Sequence, residues 1–138
     1  MATKTLKRNM FQRIMGKCAT QEPGDKGSWS YENGKLIVDL SRAAELSEEY
    51  GAIRIESSEV PKRVLVFQGK EGNYYAFDNK CAHGGRRLDP VPGAEQVQCC
   101  SLGKSTYNYT GKRLSGSASS DIKTLPLSLE NGKLIITV

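Results

Sequence analysis

Two segments, Cys81-Ala82-His83-Gly84-Gly85 and Cys99-Cys100-Ser101-Leu102-Gly103, decide how this chain reads, and His83 is its single histidine. Thiolate and imidazole are the side chains that bind soft and borderline transition metals. Glycines beside them let the backbone pass close to a bound group without a Cβ in the way. The two segments, separated by residues 86–98, therefore have the layout of a metal grip built from two loops. The first loop offers cysteine and histidine. The second offers two adjacent cysteines, then serine, leucine and glycine.

Outward from the loops the chain has the texture of short strands. Val64–Gln68 is an apolar, β-branched run, Lys70-Glu71-Gly72-Asn73 is a turn, and Tyr74–Phe77 returns towards Cys81. Ala52–Glu56 alternates, Glu95–Cys99 delivers the second loop, and Ser105–Tyr109 leads from it to a turn at Thr110-Gly111. Lys35–Leu40 is a further strand, and Ile122–Leu129 and Lys133–Val138 flank Asn131-Gly132, a strong hairpin signal. Leu88–Gly93 contains Pro90 and Pro92, so it reads as a rigid turn that cannot form a central strand. Glu22–Gly34 reads as a loop around Trp29 and Tyr31, and Ser115–Asp121 as a polar loop. One short helix is expected over Arg42–Tyr50, with Ser41 as its N-cap and Gly51 as its stop. The expected fold class is all-β, a small antiparallel sandwich or barrel.

With 138 residues and 38% hydrophobic content, the chain is long enough for one core. It contains no run near the about 20 apolar residues of a membrane span and no secretory h-region, so a cytoplasmic location is expected. Four cysteines suit metal or redox use better than a disulfide framework. The net charge of +5 favours an acidic partner through steering. Scattered basic residues without a recognition motif argue against nucleic acid. Residues 1–21 hold no acidic residue, and Leu6, Met10 and Ile14 recur at spacing four among Lys7, Arg8, Arg13 and Lys17. That basic amphipathic pattern suits a surface helix, a docking segment or a targeting peptide, and most simply an arm packed by Phe11 and Met15.

From Val64 to Val138 the chain resembles the Rieske family, whose pattern is Cys-x-His, a spacer, then Cys-x-x-His-Gly. Cys81 and Cys99 match the family's thiolate ligands, His83 matches the first imidazole, and Leu102 stands at the second imidazole position. Gly85 and Gly103 match the loop glycines, and Tyr107–Gly111 resembles the strand and Thr-Gly turn after the second loop. The resemblance implies a ferredoxin-like electron carrier with a [2Fe–2S] cluster, one iron on the two cysteines and the other on His83. It implies a loop-based cluster-binding subdomain over about residues 78–108, within a domain over 31–138 that follows a basic extension and loop over 1–30. It also implies that Tyr107 or Tyr109 donates a hydrogen bond to a cluster ligand. The expected partner is an acidic redox protein or a larger oxidoreductase subunit, guided by Arg86, Arg87 and Lys104 beside the loops.

The fourth ligand stays open among Cys100, Cys18, solvent and a partner's side chain. A third thiolate would lower the reduction potential relative to the two-cysteine, two-histidine set. Alternatives are a cluster-free Rieske-fold interaction or structural subunit of a redox complex, and a mononuclear zinc or iron site of Cys81, His83, Cys99 and Cys100. The zinc reading sits poorly with adjacent cysteines, which rarely both reach one tetrahedral metal. A Cys81–Cys99 disulfide or a vicinal Cys99–Cys100 redox pair are further uses of the same residues. Catalysis is the weakest class, since neither a Ser/His/Asp set nor a phosphate-binding glycine motif is present. Leu102→His is expected to raise the reduction potential or to permit assembly of a two-cysteine, two-histidine cluster. Iron bound on reconstitution checks this, and uptake no greater than wild type places Leu102 elsewhere.

Overall fold

The computed structural model describes residues 20–82, 85–100, 105–116 and 120–138. His83, Leu102, Gly103, Lys104, Cys18 and the amphipathic pattern at the N-terminus lie outside the described residues. The strands form three antiparallel sheets. In the first, β1 (Trp29–Glu32), β2 (Lys35–Asp39), β10 (Leu127–Glu130) and β11 (Lys133–Thr137) run in the order β1-β2-β11-β10. The second is β3 (Ala52–Ile55), β4 (Val64–Gln68) and β5 (Tyr74–Asp78), in sequence order. In the third, β6 (Leu88–Pro90), β7 (Gln96–Cys99), β8 (Thr106–Asn108) and β9 (Arg113–Ser115) are also in sequence order.

The second sheet is the middle layer, and β4 shows why. Side chains alternate across a strand, so an uninterrupted apolar run must bury both faces. Val64 and Val66 join Leu36, Val38, Ile53, Ile55, Leu134 and Ile136 in one core, against the first sheet. Leu65 and Phe67 join Phe77, Cys81, Leu88, Val97, Cys99 and Tyr107 in a second core, against the third sheet. On β5 the same alternation sends Ala76 to the first core and Phe77 to the second. The cysteine loops therefore grow from the second core.

Four local expectations are corrected. The helix expected over Arg42–Tyr50 is a single 3-10 turn, Ala44–Ser47. The Ser41 hydroxyl donates to Asp39 Oδ1 and does not cap it, and Glu48 and Glu49 crowd the end where a helix dipole disfavours negative charge. Tyr50 then turns left-handed (φ +65°), and its N–H donates to Gln68 O. Glu22–Gly34, expected as a loop, contains β1. Its hairpin with β2 closes at Asn33 and Gly34, with φ +51° and +78°, as the β10–β11 hairpin closes at Asn131 and Gly132, with φ +50° and +74°. Leu88–Pro90, expected as a turn, pairs with β7, but at the edge of its sheet, where proline's missing N–H costs no ladder bond. Ile122–Leu129 is not one strand. Thr124 makes an isolated bridge with Phe77, and Pro126 precedes the true strand β10.

From Thr20 onward the chain is tied to the sheets: Thr20 N donates to Asp89 Oδ1 at 2.8 Å and Arg54 N to Gln21 O at 2.9 Å. The turn after β8 is tied as firmly. Gly111 has φ +87°, and Ile122 N donates to its carbonyl at 2.9 Å. A Cβ there would sit 2.4 Å from Ile122 O. Gly111→Ala is expected to destabilise the fold by about 2–4 kcal/mol, through left-handed strain added to a backbone clash. Urea unfolding of the variant beside wild type measures it.

Candidate metal centre

β5 ends at Asp78 and releases the chain into the first loop, while β7 ends at Cys99 and releases it into the second. The first loop is pinned by backbone bonds, Cys81 N to Arg86 O at 2.7 Å and Gly85 N to Cys81 O at 3.0 Å. Gly85 adopts φ +69°, and the Lys80 side chain lies over it at 3.7 Å from the position a Cβ would take. Arg63 Nη2 also donates to Gly85 O. In the second loop, Cys99 N donates to Ser105 O at 2.8 Å. The two cysteines are 1% and 0% exposed, in the same apolar cluster.

Tyr107 joins them. Its hydroxyl lies 3.3 Å from Cys81 Sγ. Burial, the contact with Cys81, and the nearby Cys99 all push the phenol well above its ordinary range, while the Ala82 amide pulls the other way. The phenol thus keeps its proton and donates whenever Cys81 is a thiolate. The sequence left Tyr107 and Tyr109 as equals, on one face of a strand. The structure separates them: Tyr107 lies within β8 and is buried in the second core, whereas Tyr109 lies beyond the end of β8 and packs against that core from outside. Tyr109 stacks on Tyr75 at 4.3 Å, donates to Ala94 O and accepts from Lys70 N, and burial raises its phenol to about 12.

Cys100 takes a different position. Its Sγ donates to Arg87 O at 2.7 Å, and its N–H donates to the same carbonyl at 3.0 Å. This carbonyl links the second loop to the segment following the first. Arg87 is itself held by Glu56, whose carboxylate accepts from Arg87 Nε at 2.5 Å and Nη2 at 2.6 Å and from Arg54 Nη1 at 2.9 Å. Arg87 was read as part of a positive rim. That reading is corrected, because Glu56 offsets its charge and turns it into a brace. Arg86 is exposed and stays available to a partner. Glu56, Arg54 and Arg63 were not found from the sequence, since their partners lie far along the chain.

Among the described residues no group of three or more histidines, cysteines or acidic residues converges as a metal site. The described residues fit the thiolate-held half of a [2Fe–2S] group: two cysteines in one apolar cluster, a protonated hydroxyl beside one sulfur, and loop backbone bent by a left-handed glycine. The imidazole half rests on His83, outside the described residues.

Residues 37–126 match the Rieske [2Fe-2S] domain family. This chain belongs to that family. A ferredoxin component of naphthalene 1,2-dioxygenase/salicylate 5-hydroxylase systems from Ralstonia is 35% identical over 77 residues, 54% of this Rieske chain and 72% of the ferredoxin. The ferredoxin of carbazole 1,9a-dioxygenase from Nocardioides aromaticivorans shares the fold (TM-score 0.58, 16% identity, covering 73% of this chain and 93% of that one). A chain from a complex of reduced oxygenase and oxidized ferredoxin in carbazole 1,9a-dioxygenase superposes with a TM-score of 0.61 at 14% identity, covering 77% and 94% of the two chains. The all-β fold and the family expected from the motifs both hold, and with them the reading as a Rieske-type electron-transfer protein. Among the described residues no helix is long and apolar enough to cross a membrane.

Arg87 and Arg54 hold Glu56 down at about 2, against an ordinary 4.5. A carboxyl depressed in the fold stabilises it fully above its unfolded value and loses that contribution as pH falls towards the folded one. Glu56→Gln is therefore expected to cost about 2 kcal/mol at pH 7, a figure discounted because Arg87 is partly exposed. The gap from wild type should shrink between pH 4.5 and about 2, as read from urea unfolding across that range.

Proposed function

We propose that this chain carries single electrons on a [2Fe–2S] cluster with non-standard ligation, held by Cys81 and Cys99 on one iron and His83 on the other. The observation that carries this is the pairing of two buried cysteines in one cluster with the Tyr107 hydroxyl 3.3 Å from Cys81 Sγ. The cluster supplies a one-electron store. Tyr107 stabilises added negative charge on Cys81, and the apolar second core keeps water from the sulfurs. The Cys100 sulfur is engaged with Arg87 O, which favours Cys18, solvent or a partner's side chain over Cys100 as the fourth ligand.

The physiological partner is an oxygenase or other oxidoreductase protein with an acidic docking surface, and the setting is cytoplasmic. The net charge of +5 and exposed Lys80 and Arg86 at the first loop support this. The ferredoxin relative named for dioxygenase systems supports the same class of partner. The functional unit is the domain over 31–138, with its cluster loops over about 78–108.

The deciding measurement is iron and acid-labile sulfide per chain, with a visible spectrum, on protein purified without oxygen. Two irons and two sulfides per chain are expected. One zinc without sulfide would make the site mononuclear. No metal after reconstitution would make this a cluster-free subunit that uses the Rieske fold for binding.

A further inference from the structure

Among the described residues, two buried side-chain polar atoms have no hydrogen-bond partner, Ser28 Oγ in the turn before β1 and Asn79 Nδ2. The second lies beside the candidate centre. Asn79 is wholly buried, two residues before Cys81. Its backbone N–H donates to Arg63 O at 2.8 Å, and its Oδ1 accepts from Leu88 N at 2.7 Å. A backbone N–H can only donate, so the carboxamide oxygen faces Leu88 and the NH2 group is left for something else. Leu88 is the cross-strand partner of Cys99. The carboxamide is thus anchored between the strand pair that carries Cys99 and the loop that carries Cys81.

A buried donor without an acceptor costs about 1–3 kcal/mol. The local backbone needs only the oxygen of Asn79, for Leu88 N. The NH2 group is therefore left for an acceptor other than the described polypeptide. Anionic sulfur is a good acceptor of this kind, because hydrogen bonds to charged groups are the strong ones.

The geometry points to Asn79 as a positioning residue whose Nδ2 donates to a sulfur of the cluster held through Cys81 and Cys99. This rests on the cluster reading above. The donor fixes the first loop against the group and stabilises its reduced, more negative form.

The test compares wild type with Asn79→Asp, which keeps an oxygen for Leu88 N and replaces the donor with a negative charge. Reduction potential is read on reconstituted protein, and the unfolding midpoint on metal-free protein. A fall in potential equivalent to at least tenfold in the one-electron equilibrium, about 59 mV, is expected, with the metal-free protein still unfolding cooperatively. Loss from the reduced-state hyperfine spectrum of the coupling to the asparagine amide nitrogen would be the matching spectroscopic result. If the aspartate variant folds but takes up no iron, Asn79→Ser is judged by the same criteria. Failure of both variants to load iron, with cooperative metal-free unfolding retained, would be the same result in stronger form. A potential that stays at the wild-type value overturns the proposal and leaves the amide to a buried water. Collapse of the metal-free midpoints overturns it as well, because Asn79 would then serve the fold. Wild type that binds no iron defeats the cluster reading itself, which a normal iron content with an unmoved potential does not.

Discussion

Burial of β4 on both faces is the constraint on which the rest depends. Val64 and Val66 face one core and Leu65 and Phe67 the other, so β4, with β5 beside it, joins the two cores. Each such side chain contributes about 1.5–3 kcal/mol when fully buried. A polar group at any of the four positions would have to be desolvated without a partner. The middle sheet is therefore held rigidly between its neighbours, and β5, paired to β4 along its length, delivers the first cysteine loop from a fixed point.

The loops themselves are held by polar contacts from outside the third sheet. Arg63 reaches Gly85 O, Asn79 reaches Leu88 N, and Glu56 braces Arg87, whose carbonyl takes both the N–H and the sulfur of Cys100. Each contact joins residues distant in sequence, so they form only once the sheets have packed. An apolar surrounding makes them worth more than the same contacts in water and raises the cost of leaving one unmade. Placing two cysteines and a phenol on the edge of the second core follows the same logic. Low dielectric weakens solvent competition, and one directed hydroxyl then counts.

The charge pattern acts differently on the two sides of the molecule. Arg87 and Arg54 are spent on Glu56, while Lys80 and Arg86 remain at the surface of the first loop. Basic residues adjacent in sequence thus divide into one that holds the loop and one that stays exposed. A count of charges near a motif does not make that distinction.

Strand content, the central β3–β4–β5 meander, the β10–β11 hairpin and the cysteine-bearing loops were legible in the sequence because periodicity, β-branching and the Asn-Gly turn are local signals. Asn33-Gly34 carried the same signal as Asn131-Gly132 and marks β1, but Pro23 and the glycines before it obscured the strand. The sequence also supplied the donor types proposed for the site, Cys81, Cys99 and His83, with Leu102 at the remaining position of the motif, since covalent identity needs no fold. Tertiary structure decided that Tyr107 and not Tyr109 meets Cys81, that Cys100 turns to Arg87, that Glu56 braces the loops and that Asn79 keeps an unmatched donor beside Cys81. The reason is physical: each of these depends on how the packed sheets and loops bring separate segments together, and nothing local along the chain encodes which backbone will arrive opposite.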